Sequence, residues 1–153
     1  MPDALFRYDH DANQRTLEAL RATAAPPPRA VALFAHLLAA QRVWVERMRT
    51  GASATPVWPD LTLDDCAAWL DENRALLDGF LSSREGADRQ ASGERVFRYR
   101  TTRGVGYEST AGEVLQHLLL HGAYHRGQIA AAVREAGGTP PVTDYVMLTR
   151  RET

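Results

Sequence analysis

The stretch HLLLHGAYHRGQ repeats a histidine every four residues, at His117, His121 and His125. Four residues make just over one helical turn, so two such imidazoles can share one metal ion. With His117 set at zero and about 100° per residue, His121 falls at about 40° and His125 at about 80°. Val114 and Ala132 fall at about 60°, Leu118 at about 100° and Ile129 at about 120°, which defines the apolar stripe. His121 and His125 thus lie inside the core-facing stripe and form the chelating pair. His117 sits on its edge beside Glu135. It lies two turns, about 12 Å, from His125, too far for both to meet one ion through bonds of about 2 Å.

Two ligands do not complete a site; three protein ligands with an open position are the usual catalytic arrangement. The remaining histidines are His10 and His36. His36, within LFAHLLAAQRVW, falls at the rim of its own apolar stripe beside Ala40 and Val43, so periodicity permits it as a third ligand without demanding it. His10 stands between Asp9 and Asp11, a surround that reads as solvated. Each histidine also has a plainer reading as a hydrogen-bonded core residue. That reading is weakest for the pair, because burying two imidazoles with no shared partner is costly. The lone Cys66 reads as a small buried hydrophobe. Arg98, Arg100 and Arg103 are candidates to attract an anion, against the alternative of a solvated hairpin.

Four helices are expected to position these residues. The first covers 5–22, with Leu5, Phe6, Leu17 and Leu20 on its apolar side and a polar middle; AAPPPR ends it. The second runs over 28–49, and TGASATPVWPD follows as a loop. The third opens at Thr62, a candidate N-cap, and keeps period to about residue 83. Helical period lapses through SREGADRQASGE, and RVFRYRTTRGVGY reads as a short hairpin. The fourth helix starts at a T-x-x-E capping box, Thr110 and Glu113, and ends before Gly137, Gly138, Pro140 and Pro141. The tail VTDYVMLTRRET shows no clear periodicity. The expected fold is all-α, a four-helix bundle with a short β-hairpin or irregular insertion before the last helix, in one domain over residues 1–153.

Composition narrows the function. With 153 residues, 44% hydrophobic and 24% charged, the chain has the make-up of one globular domain. A net charge of −1 leaves no electrostatic footprint for nucleic acid or an anionic membrane surface. A single cysteine excludes a disulfide framework and a Cys-rich zinc site. MPDALFRYDHDANQ lacks the apolar core of a signal peptide, and AVALFAHLLAA is too short to span a bilayer. A cytoplasmic protein acting on a small molecule is the expectation. On the fourth helix Leu120, Tyr124, Gly127 and Ala131 form a second stripe, offered to a second copy in a homodimer or else to the hairpin.

HGAYHRGQIAAAVREAGGTPP resembles the final helix of the DinB family (DinB/YfiT-like metalloenzymes), whose signature is H-x-x-x-H-R-G-Q. FAHLLAAQRVWVERM is similar to that family's second helix, YDHDANQRTLEAL to its first and TDYVMLTR to its tail. The resemblance implies a four-helix bundle holding a divalent metal at one end through three histidines, here His36, His121 and His125. Many relatives carry a histidine just before the last ligand, where this chain has Tyr124. Arg126 falls at about 180° and Gln128 at about 20°; neither is expected as a ligand, and both are expected to tie the helix to neighbouring segments.

Three neutral imidazoles leave the full 2+ charge of the ion on its open positions. Such a site acidifies water, polarises a carbonyl or binds a thiolate. Zinc, nickel, iron and manganese all suit the donor set. The resemblance adds enzymes that transfer low-molecular-weight thiols, and hydrolases. Thiol S-transfer is favoured, since no second carboxylate presents itself as a hydrolytic base. The alternatives are a metal-dependent hydrolase, a non-catalytic metal-binding stress-response module, and a purely structural bundle.

Overall fold

The computed structural model describes residues 2–83 and 96–151. Four long helices, α1 Pro2–Ala22, α2 Pro28–Thr50, α3 Leu63–Ser82 and α4 Ala111–Glu135, form the bundle. Between α3 and α4 comes an antiparallel hairpin, β1 Val96–Arg100 and β2 Gly106–Thr110, and a short helix α5, Tyr145–Thr149, follows α4. The expected fold class is the one observed. Of the irregular stretch SREGADRQASGE, residues 84–94 lie outside the described residues.

Helix ends follow local chemistry. α2 starts on Pro28, whose missing N–H costs nothing in a first turn. It stops at Gly51, left-handed at φ 80°, whose N–H donates to the Arg47 carbonyl. In α3 the Thr62 hydroxyl accepts the Asp65 N–H while the Asp65 carboxylate accepts the Thr62 N–H, and Thr110 and Glu113 repeat this reciprocal cap on α4. Thr110 is also the last residue of β2, so the second strand runs three residues past its expected end at Tyr107 and leads straight into α4. The tail, which had no readable period, contains α5. Five residues are too few to display one.

α2 packs against α3 and α4, and α1 packs against the same two helices while touching α2 far less. α1 and α2 therefore stand on a diagonal. One apolar cluster gathers Leu17, Leu20, Phe34, Leu37, Leu70, Ile129 and Val133; another gathers Phe6, Val45, Met48, Leu77, Phe80, Leu115 and Leu118. On each of the four helices buried polar residues stand between the two clusters: Asp9 and Asn13, Gln41, Asn73, and Arg126.

These residues form a connected layer across the bundle. Arg126 Nη1 donates to Asp9 Oδ1 at 2.6 Å and to Asn13 Oδ1 at 2.8 Å. Asp9 Oδ2 accepts from Asn13 Nδ2 at 3.1 Å and, across the diagonal, from Gln41 Nε2 at 2.9 Å. Gln41 Oε1 accepts from Asn73 Nδ2 at 2.9 Å, and Asn73 Oδ1 accepts from Arg42 Nε at 2.6 Å. Arg42 then reaches the surface and pairs with Glu72. Gly122 makes room for this layer: a Cβ there would lie 2.8 Å from Asp9 Oδ1. Asp9, Asn13 and Thr16 of the polar middle of α1 thus face inward, and Asp9, expected in a solvated surround, is 2% exposed. An i, i+4 partner and a cation from α4 make its burial tolerable.

The hairpin is clamped to the C-terminal half of α2. The Trp44 and Tyr99 rings meet edge to face at 5.0 Å, the buried Arg47 guanidinium lies against both, and Arg100 N–H donates to the Gly51 carbonyl. The hairpin leaves the second stripe of α4 bare, with Leu120 63% and Tyr124 66% exposed. Among the described residues no helix is long and apolar enough to cross a membrane.

Candidate metal centre

His36 reaches the seam between α2 and α4 from the ninth position of its 23-residue helix. His121 and His125 meet it from the middle of α4. The site thus lies midway along the seam rather than at an end of the bundle, as the resemblance implied. Among the described residues, His36, His121 and His125 form the group able to hold a metal, with one donor atom from each lying within 4.8 Å of the others. His36 is buried, and His121 and His125 are partly buried.

The hydrogen bonds of the rings define which nitrogens are free. His36 Nδ1 lies 2.7 Å from the Val57 carbonyl, which can only accept, so Nδ1 carries the proton and Nε2 is bare. His125 Nδ1 lies 2.7 Å from Gln128 Oε1, which fixes the same tautomer. Both bare Nε2 atoms point at His121 Nε2, from 3.2 Å and 3.1 Å. At most one of the two contacts with His121 can be a hydrogen bond, because one ring nitrogen carries at most one proton. Three nitrogens on an ion with bonds of about 2.0–2.1 Å at tetrahedral angles stand about 3.3 Å apart. The donor set and its spacing fit a divalent cation.

Electrostatics point the same way. Burial, with His125, His36 and His117 around it, pushes the His121 imidazole down to about 4. Burial also lowers His36, against the Val57 hydrogen bond and with His125 adding to the fall. Both rings are therefore neutral at pH 7 with lone pairs available, as metal ligation requires.

Each other candidate has a definite place. His117 stays outside the group; burial lowers its pKa, and its ring meets those of Trp44 at 5.7 Å and His121 at 5.2 Å. His10 is partly buried on α1, away from the three. Cys66 is fully buried, and burial together with Asp65 outweighs Arg21 to push its thiol up to about 11. Arg98 is solvent-exposed and pairs with Glu108, while Arg100 donates to the Gly104 carbonyl. Arg126 ties α4 to α1, as expected. Among the described residues the Gln128 hydrogen bond runs to the His125 ring, three residues back on the same helix, rather than to a neighbouring segment.

Tyr124 lies edge-on to His125 at 5.2 Å and is open to solvent. Two contacts had no sequence signal: the Val57 carbonyl, and Trp58, whose ring stacks on His36 at 3.9 Å and 9°. Both depend on where a loop folds. A cavity of about 560 Å³ opens between the hairpin and residues 50–52, but none of the histidines lines it. Donor chemistry, not concavity, marks this centre.

A helical bundle that turns three imidazoles toward one point defines a class of protein able to take a metal ion at a helix seam. The DinB family matches residues 1–152, and the chain belongs to that family. One relative, Protein DinB of Bacillus subtilis (strain 168), is 47% identical over 38 residues, a match spanning 25% of this chain and 22% of that protein. No solved structure gave a significant match.

Proposed function

We propose that His36, His121 and His125 bind a divalent metal and that the protein is a metal-dependent transferase of low-molecular-weight thiols to small electrophiles. The observation that carries this reading is the approach of bare Nε2 atoms on His36 and His125 to His121 Nε2 at 3.2 Å and 3.1 Å, a cluster that a cation would stabilise. When bound, the ion supplies Lewis acidity, which favours the ionised form of a thiol or water that coordinates it. The chain's own residues do the rest. Val57 and Gln128 keep the His36 and His125 lone pairs aimed inward. Trp58 and Tyr124, both largely exposed, offer aromatic surface beside the two rings. Among the described residues the group of possible ligands contains no carboxylate, which favours thiol over water as nucleophile, since hydrolysis calls for a general base. Cys66, buried and protonated, is not the nucleophile, so the thiol comes from outside. A pool of reduced thiols is a property of the cytosol, where this reading places the protein, as a single domain.

Metal content of the purified protein and a conjugation screen with and without thiol test the reading. Turnover should need both metal and thiol and should survive in Cys66→Ser. Loss of turnover in a folded Cys66→Ser protein, or ester hydrolysis without thiol, would overturn it. The bare Leu120–Tyr124 face is proposed to receive a second copy. Sedimentation should then show a dimer that Leu120→Glu dissociates, and a monomer at micromolar concentration rejects it.

A further inference from the structure

The chain leaves α2 at Gly51 and doubles back along it, passing first Glu46 and then His36. At Glu46 the carboxylate gathers the loop. Its Oε2 accepts from Ser53 Oγ at 2.6 Å, from Ala54 N–H at 3.2 Å and from Thr55 N–H at 3.4 Å, while Oε1 accepts from Thr55 Oγ1 at 2.7 Å. Burial opposes the charge on Glu46, but these bonds from Ser53, Thr55 and Ala54 outweigh it and hold the carboxyl below its usual range. Two residues beyond Thr55, the Val57 carbonyl takes the His36 Nδ1 proton and Trp58 stacks on the ring.

We propose that Glu46 is a positioning residue for His36, acting through residues 53–58 to fix the tautomer and plane of that imidazole. The proposal rests on the reading of the three histidines as a metal centre. Among the described residues, the side-chain hydrogen bonds that tie residues 53–58 to the helices run to Glu46 and His36. Trp58 is 60% exposed, so little burial holds it in place. The Glu46 anchor therefore sets where Val57 and Trp58 sit. With four donors already on its oxygens, Glu46 is not left free to act as a base or ligand. His125 provides the contrast within one site, because Gln128 orients it from its own helix.

The experiment compares the wild type with Glu46→Ala, Glu46→Gln and the double variant Ser53→Ala/Thr55→Val. It reads zinc affinity by calorimetry and the ¹⁵N shifts of the imidazoles by NMR. Outer partners of metal ligands typically contribute about 10–100-fold in affinity, and a loss in that range is expected for Glu46→Ala. Glu46→Gln, which still accepts from Thr55 Oγ1, should lose less. His36 should pass from one tautomer to a mixture while His125 keeps its shifts, a selectivity that general destabilisation would not produce. The double variant leaves α2 intact and should reproduce both effects, including where Glu46→Ala fails to fold. Unchanged zinc affinity and an unchanged His36 tautomer in the folded variants overturn the proposal. If the wild type takes none of zinc, nickel, iron or manganese, the metal reading fails, and the His36 tautomer alone then decides the role of Glu46.

Discussion

Asp9 and Asn13 on α1 share the i, i+4 spacing of His121 and His125 on α4, and both pairs look toward polar groups on other helices. The α1 pair contains one anion, which meets one cation, Arg126, and its carboxylate oxygens are filled by donors from three helices. Arg126 Nε and Nη2 are the buried atoms of the layer left without a hydrogen bond, and the guanidinium lies 5.7 Å from the Tyr8 ring centroid. The histidine cluster is wired the other way: the outer nitrogens of His36 and His125 are hydrogen-bonded, and the Nε2 atoms of all three rings face each other. A buried polar group is costly unless paired. The first cluster pairs its charges internally and leaves guanidinium donors over, whereas the second leaves bare lone pairs. Polar residues inside a bundle are thus not enough to mark a site; the sign of what they leave unmatched is.

The largest expected effect attacks the unmatched cluster. His36→Ala, His121→Ala and His125→Ala should each abolish stoichiometric metal binding, whereas His117→Ala should keep the metal with at most a 10–100-fold loss of affinity. Elemental analysis of the four purified variants checks this. An empty His117→Ala site beside a full His125→Ala site would reassign the chelate to His117 and His121.

The matched cluster should respond in stability instead. Asp9→Ala leaves Arg126 buried without its counter-charge, a loss of about 3–5 kcal/mol for a pair broken from one side, read by urea unfolding. Removing both charges, as Asp9→Leu with Arg126→Met, should cost less than Asp9→Ala because no lone buried charge remains, although Asn13 loses two partners and Gln41 one. A double variant as unstable as the single one would show that the layer acts through its shape rather than its charges.

Some of this architecture was legible because it is local. The proline and glycine breaks, the Thr110–Glu113 cap and the apolar period fixed the four helices, and the projection of α4 singled out His121 and His125 over His117. His36 was permitted by its own helix and assigned only through resemblance; a third ligand on another helix has no fixed interval to reveal it. Asp9 looked solvated because its neighbours in the chain are polar, yet its partner Arg126 lies 117 residues away.

What the sequence determined by itself was therefore what intervals of three and four residues carry: helix limits, caps, the shared face of His121 and His125, and the position of Gln128 relative to His125. Which helices stand on a diagonal, that Asp9 and Asn13 of α1 face inward, and that Val57 and Trp58 close over His36 were decided only by tertiary structure. The physical reason is that each depends on a hydrogen bond or ring contact between distant segments. Such contacts form once the apolar clusters have set the helices side by side, and no local spacing encodes them.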